Sequence, residues 1–206
     1  MGKVLINITQ FVLAILLIPI LYTSIEGFFH HFLNYPDIYQ EFFFWGMMSL
    51  VLMHFFIFKP QALYEFGQNL VGAAFKFISP LDRFFSFILP FYTIIIFLLL
   101  YLVTFLFKTG KFDHYFMFFG GYAFAMQLVF VAEELQEEGG STLRPAYLFI
   151  MSLVFILNIF LLVLLFDLVL KKFTFPAFFQ AMSKDALDIY KAIFHKIYSV
   201  YQTVRK

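Results

Sequence analysis

The side chains able to do chemistry in this 206-residue chain are few and scattered. His54 falls inside a hydrophobic segment, while His30-His31, His114 and His195 lie at segment edges, in loops or in the C-terminal tail. A helical metal site needs two ligands about one turn apart on a single face, and no two histidines of one segment have that spacing. His54 is therefore expected to hydrogen-bond across helices, with proton relay as the alternative role. Cysteine is absent, which closes disulfides, thiolate zinc sites, iron–sulfur clusters and cysteine nucleophiles. Neither a phosphate-cradling glycine loop nor a nucleophile elbow can be read from the spacing. What remains is a set of polar residues within apolar segments: Gln68, Asn69, Gln127, Asn158 and Asp167. Amides without partners are costly in hydrocarbon, so they should face the bundle interior, with Gln68 and Asn69 bonding to Asn158 or Gln127. Asp167 stands four residues before Lys171, the spacing of an i,i+4 ion pair at a helix end, with a proton-pathway carboxylate as the sharper alternative. The run Glu133-Glu134-Leu-Gln-Glu137-Glu138-Gly139-Gly140 reads as a solvated loop after a helix end, without the ligand register of a calcium loop.

One stretch carries a resemblance. The residues Phe58-Lys59-Pro60-Gln61-Ala62-Leu63-Tyr64-Glu65-Phe66-Gly67-Gln68-Asn69-Leu70-Val71-Gly72-Ala73 resemble the zinc helix of one branch of the site-2-protease-like intramembrane metalloproteases. In that branch the pattern reads roughly F-K-P-x-x-L-Y-x-F-G-H-E-L-T-H-A. Ile88-Leu89-Pro90-Phe91-Tyr92 is similar to the L-A-P-Y stretch that opens the next span, and Tyr147-Leu148-Phe149 through Asn158 matches the last span in spacing. The resemblance covers most of Phe42 to Leu170. It implies a zinc ion held by two histidines one turn apart, with a glutamate beside the first to activate the metal-bound water. Here the three positions are Gln68, Asn69 and Gly72. Amides are poor zinc ligands, glycine has no ligand atom, and Asn69 cannot accept the proton a glutamate would take. The glycine-rich hairpin that commonly follows the zinc helix is also missing, since only Ile78 to Arg83 separates it from the next span. The resemblance thus implies a degenerate, non-proteolytic member with no zinc and no other cofactor.

Composition fixes the class. Hydrophobic residues make up 63% and charged residues 13%, and the mean hydropathy is +0.88, far from the roughly 25% charge of an ordinary soluble domain. The expected fold is all-α: a polytopic transmembrane bundle over 1–175, followed by a cytoplasmic amphipathic helical tail over 176–206. The net charge of +1 and the dispersed basic residues give no footprint for nucleic acid. The 35 phenylalanines are read as packing and lipid-facing surface. Spans are expected at Val4–Ile25, Phe42–Phe58, Phe84–Phe107, Tyr115–Ala132 and Ala146–Leu170, each near the length needed to cross a ~30 Å hydrocarbon core. The first is read as a retained span, because no small-x-small cleavage site follows it.

The segment from Gln61 to Ile78, bounded by Pro60 and Pro80, is ambiguous by hydropathy and is decided by charge. If it crosses, Lys3, Lys59, Lys108, Lys111, Lys171, Lys172 and the basic tail share one side, and only Lys76, Arg83 and Arg144 lie opposite. Short cytoplasmic loops are enriched in Lys and Arg, so six spans with both termini cytoplasmic are expected, in a bacterial inner membrane. In the tail, Leu187, Tyr190, Phe194, Ile197, Tyr201 and Val204 repeat at helical spacing and form one apolar face. Such a helix suits the headgroup layer, with membrane lipid as its partner, or a neighbouring subunit.

Three functions fit this reading. The first is a pseudoprotease-like scaffold that binds a membrane partner or substrate helix without cutting it. The second is a structural or assembly subunit of a larger membrane complex, and the third a small transporter or channel, disfavoured by the lack of an internal repeat. The purified protein is expected to hold no stoichiometric zinc. Elemental analysis checks this, and a one-to-one zinc content lost in His54→Ala would show that a metal site lies elsewhere.

Overall fold

The computed structural model describes residues 2–78, 82–108, 110–139 and 144–205. Pro80, and the Gly140 end of the acidic run, lie outside them. The described residues form eight α-helices and one 3-10 turn: α1 Gly2–Phe32, α2 Asp37–Phe56, α3 Gln61–Phe75, the turn Lys76–Ile78, α4 Asp82–Ile88, α5 Phe91–Phe107, α6 Asp113–Gly139, α7 Pro145–Leu170 and α8 Phe175–Val204. The all-α expectation holds. Three helices are long and apolar enough to cross a membrane, Leu5–Phe32, Asp113–Glu137 and Pro145–Leu170; α2 and α3 pass that test only as a pair bent by 119°, and α5 is a shorter apolar helix. This composition is compatible with an integral membrane protein.

Prolines set the breaks. Pro60 cannot donate to the α2 ladder and its ring clashes with the preceding turn, so α2 stops at Phe56 and the chain restarts as α3 in a new direction. The expected single span Phe84–Phe107 is likewise two helices. Pro90 ends α4 at Ile88 and begins α5 at Phe91, because the residue before a proline is pushed out of the helical region. The acidic run is helix and not loop as far as Gly139, its Glu, Gln and Leu being good helix formers.

Six crossings are not confirmed, and the helix directions depart from the order they require. Tyr39 donates to Asp113 Oδ2 at 2.8 Å near one end of α2, and Lys59 meets Glu133 Oε1 at 2.6 Å beyond the other. Both pairs are separated by 74 residues, so α2 and α6 run in the same direction. The six-crossing order put Lys59 and Glu133 on opposite faces; the fold puts them in contact. Glycine makes this pairing close. A Cβ on Gly46 would lie 1.9 Å from the Phe118 carbonyl oxygen, and one on Gly121 would lie 2.0 Å from that of Phe43. The backbones approach to a distance that no side chain permits.

Around this pair the core is aromatic. Phe166 of α7 is fully buried and meets Phe32 of α1 at 5.1 Å, Phe43 of α2 at 5.6 Å and Phe97 of α5 at 5.1 Å between ring centroids. These distances suit stacked and edge-on ring pairs. The tail differs from expectation in place. α8 is amphipathic, but it lies antiparallel along α1, with Gly27 under the Phe178 ring and the Tyr190 hydroxyl donating to the Leu16 carbonyl.

If α2 and α6 share direction in the membrane, cysteines introduced at the exposed Gln61 and Gln136 react with an impermeant maleimide from the same side, and one at Phe112 from the other. Reaction of 61 and 136 from opposite sides would restore the six-crossing order.

Candidate functional site: a polar groove between α3 and α6

The bend at Pro60 lays α3 against the C-terminal turns of α6. The buried stripe of α3 is Tyr64, Gly67 and Val71, a spacing of three and four that marks one helix face. Gly67 is required there, because a Cβ would lie 2.7 Å from the Tyr92 ring. The Tyr92 hydroxyl in turn donates to the Leu63 carbonyl at 2.6 Å, and the Tyr64 ring stacks on Phe130 of α6 at 5.1 Å. With that face fixed, Glu65, Gln68 and Asn69 are left on the open side, opposite Glu133, Glu134 and Glu137. Together with Lys59, Gln61, Tyr64 and Phe130 they line a groove of about 400 Å³. A second hollow continues from Gln68, Asn69 and Glu134 past Gly72 to Lys76.

Polar contacts organise the groove. Gln68 Nε2 donates to the Tyr64 hydroxyl at 2.7 Å, and that hydroxyl donates to Glu134 Oε2 at 3.3 Å. Glu133 faces two cations or donors, Lys59 Nζ at 2.6 Å and His54 Nε2 at 3.1 Å. His54 is thus an interhelical bonder from α2 to α6, as expected, with its side chain 6% exposed. Glu65 accepts from Gln61 at 2.8 Å. Four carboxylates against one lysine make the groove an acceptor-rich, negative surface. Among the described residues no group of three or more His, Cys, Asp or Glu is placed to hold a metal ion.

The motif positions therefore line a groove instead of knitting the bundle. Asn69 is exposed and Gln68 half-buried, and neither reaches Asn158 or Gln127. Gly72 is not sterically required, since the nearest atom to its Cβ position is Ser86 Oγ at 3.5 Å.

Asn158 and Gln127 are occupied elsewhere. Pro90 leaves the last carbonyls of α4 without the N–H groups a continuing helix would supply. Gln127 Nε2 donates to the Phe87 carbonyl at 2.8 Å, and Asn158 Nδ2 to the Ile88 carbonyl at 2.9 Å and to Val154 of its own helix at 2.9 Å. Two amides from α6 and α7 thus cap a helix broken inside the bundle. The clue in the sequence was Pro90 within an apolar run.

Asp167 does not pair with Lys171. Lys171 turns the chain out of α7 in the left-handed region at φ 52°, and the buried Asp167 carboxylate instead accepts from the Thr174 and Phe175 amides at 2.8 and 2.7 Å and from the Thr174 hydroxyl. It caps the N-terminus of α8, where negative charge is favoured. Thr174 Oγ1 also lies 3.2 Å from His31 Nε2, which bonds the Tyr35 hydroxyl at 2.8 Å. Burial pushes that hydroxyl up to about 12. Sequence reasoning missed this cluster, because His31 and Thr174 are 143 residues apart.

Comparison of the chain with protein-family profiles, with curated proteins and with solved structures yields no match.

Replacing Gln127 or Asn158 by leucine strips a buried carbonyl of its donor and should cost about 1–3 kcal/mol. Gln68→Leu, whose partner borders the open groove, should cost less. Thermal unfolding in one detergent ranks the three, and a larger loss for Gln68→Leu would mean the capping role is misassigned.

Proposed function

We propose that this chain is a non-catalytic membrane scaffold, a pseudoprotease-like bundle that holds a membrane partner or substrate helix in the groove between α3 and α6. The observation that carries the reading is that Gln68 and Asn69, the positions of the resembled zinc motif, line an open polar cavity of about 400 Å³. These amides can donate to and accept from a partner's polar groups, but they offer no proton acceptor of carboxylate type at the motif position. The carboxylates across the groove add acceptors for lysine or arginine flanking a partner helix.

The membrane arrangement that accompanies this reading has α1, α2, α5, α6 and α7 crossing. α2 shares the depth of α6 because the two are joined at both ends. α3 and α4 form a re-entrant hairpin on the face of Lys59 and Glu133, and α8 runs back along α1, so both termini lie on that face. Lys59, Lys76, Arg144, Lys196 and Arg205 stand there, against Lys108, Lys111, Lys171 and Lys172 on the other. We assign the first face to the cytoplasm on this basis, in a bacterial inner membrane. Kinship to the site-2-type proteases rests on the sequence frame around Gln68 and on its position.

A photoreactive amino acid at position 69, used in native membranes, tests the scaffold role. A discrete adduct is expected from position 69, weakened by Glu133→Gln with Glu134→Gln, and none from the exposed Phe105. Equal, diffuse labelling from 69 and 105 would overturn the reading. So would zinc-dependent cleavage of a transmembrane substrate by the triple variant Gln68→His, Asn69→Glu, Gly72→His.

A further inference from the structure

Lys59 stands on the short linker between α2 and α3, and its ammonium meets Glu133 Oε1 at 2.6 Å. It is the only cation among the described residues that line the groove, against Glu65, Glu133, Glu134 and Glu137. The carboxylate it meets is held from the bundle side as well, because the buried His54 meets the same oxygen at 3.1 Å. Glu133 therefore keeps its place whether or not Lys59 is there. Glu134 is less well satisfied. Its contact with the Tyr64 hydroxyl is 3.3 Å, where a hydroxyl usually approaches a carboxylate to about 2.5–2.7 Å. The groove thus holds a fixed acceptor that already carries one basic side chain, beside a second acceptor with room for a stronger donor.

The Lys59–Glu133 pair is not what holds the fold. α2 is fixed on α6 by the close approach at Gly46 and Gly121, and α3 by the Tyr64 ring on Phe130 and the Tyr92 hydroxyl on the Leu63 carbonyl. The Lys59 side chain is 52% exposed, and ion pairs so open to water add little stability. Its ammonium can leave for water at small cost, and the carboxylate it vacates suits one class of replacement. Short cytoplasmic flanks of membrane-spanning helices are rich in Lys and Arg, and a guanidinium has five N–H donors, enough to serve Glu133 and Glu134 both. We propose that Lys59 is a built-in competitor for the groove: it occupies Glu133 until the basic flank of a partner helix, arginine above all, displaces it. This rests on the scaffold reading and adds what the partner must carry and what it must first remove. A partner that needs the vacated form binds more weakly in proportion to the time Lys59 spends in place.

The test uses the full-length protein in lipid nanodiscs. The probe is a fluorescent leucine–alanine helix of about 20 residues ending in one arginine, with a second probe ending in neutral citrulline. Lys59→Gln should tighten the arginine probe roughly two- to fivefold, the range open to a competing ion pair of this exposure, and leave the citrulline probe unchanged. Lys59→Arg, which keeps the competitor, should bind like the unaltered protein. Lys76→Gln removes the same charge from the far end of the second hollow and should give less than half the gain. Equal gains for Lys59→Gln and Lys76→Gln would mean that the groove answers to net charge alone, and would overturn the competitor. So would arginine binding that Lys59→Gln weakens or leaves unchanged, or a Lys59→Gln chain that no longer folds, since the ion pair would then be structural. The adduct from position 69 in native membranes separates two failures. An adduct whose yield is unchanged in Lys59→Gln refutes the competitor alone, whereas no adduct from 69 refutes the scaffold reading with it.

Discussion

The architecture depends on what happens to the carbonyl groups that Pro90 leaves unpaired at the end of α4. A buried acceptor without a donor is penalised more heavily than an ordinary hydrogen bond is rewarded, so a break inside a bundle survives only where other helices supply donors. Gln127 from α6 and Asn158 from α7 do so at 2.8 and 2.9 Å. That pair of contacts ties the α4–α5 break to the two long helices behind it. Because α4 packs on α3, with Phe75 and Phe85 stacked at 4.7 Å, the amides also hold α3 across the end of α6. The polar groove is a consequence of this arrangement: two prolines turn the chain aside, and two amides make the turn tolerable.

The rest of the core is steric. The α2–α6 contact is fixed by Gly46 and Gly121, each lying against a backbone carbonyl of the other helix. Phe166 receives rings from α1, α2 and α5. Phenylalanine suits this role because it buries a large area and has no polar atom that would need a partner. Much of the remainder of the phenylalanine is on the outside, as at Phe55, Phe56 and Phe105, which are 75%, 81% and 63% exposed. An exterior of that kind suits lipid as a solvent.

What could be read from the sequence follows from what is local. Helical class, the positions of most apolar segments, the amphipathic tail and the interhelical role of His54 all depend on composition or on spacing within a few residues. What could not be read depends on partners far along the chain. The Lys/Arg rule assumes that each segment crosses, so it counted α3, which is bent 119° from α2, as a separate span and assigned Lys59 and Glu133 to opposite faces. Pro90 was visible, but its cost falls on carbonyls whose donors lie 40 and 70 residues away. Asp167 had an obvious neighbour in Lys171, and local spacing gave no hint that the next helix would begin on its carboxylate. Gln68 and Asn69 were placed in the right segment and on the wrong side, because the position of α6 relative to α3 is a tertiary fact.

The antiparallel seating of α8 on α1 has a consequence for the order in which the molecule is made. α1 is synthesised before α8, so the face of α1 around Gly27 is without its partner until Phe178 has been made. During that interval only lipid or another protein can cover it. That face is covered by the docking of a helix whose start is set by Asp167 and whose anchor is Phe178, and docking waits on α7, which carries Asp167. A chain stopped short of Phe175 would leave the Gly27 surface bare and the aromatic core one ring short, because Phe178 is buried in that core.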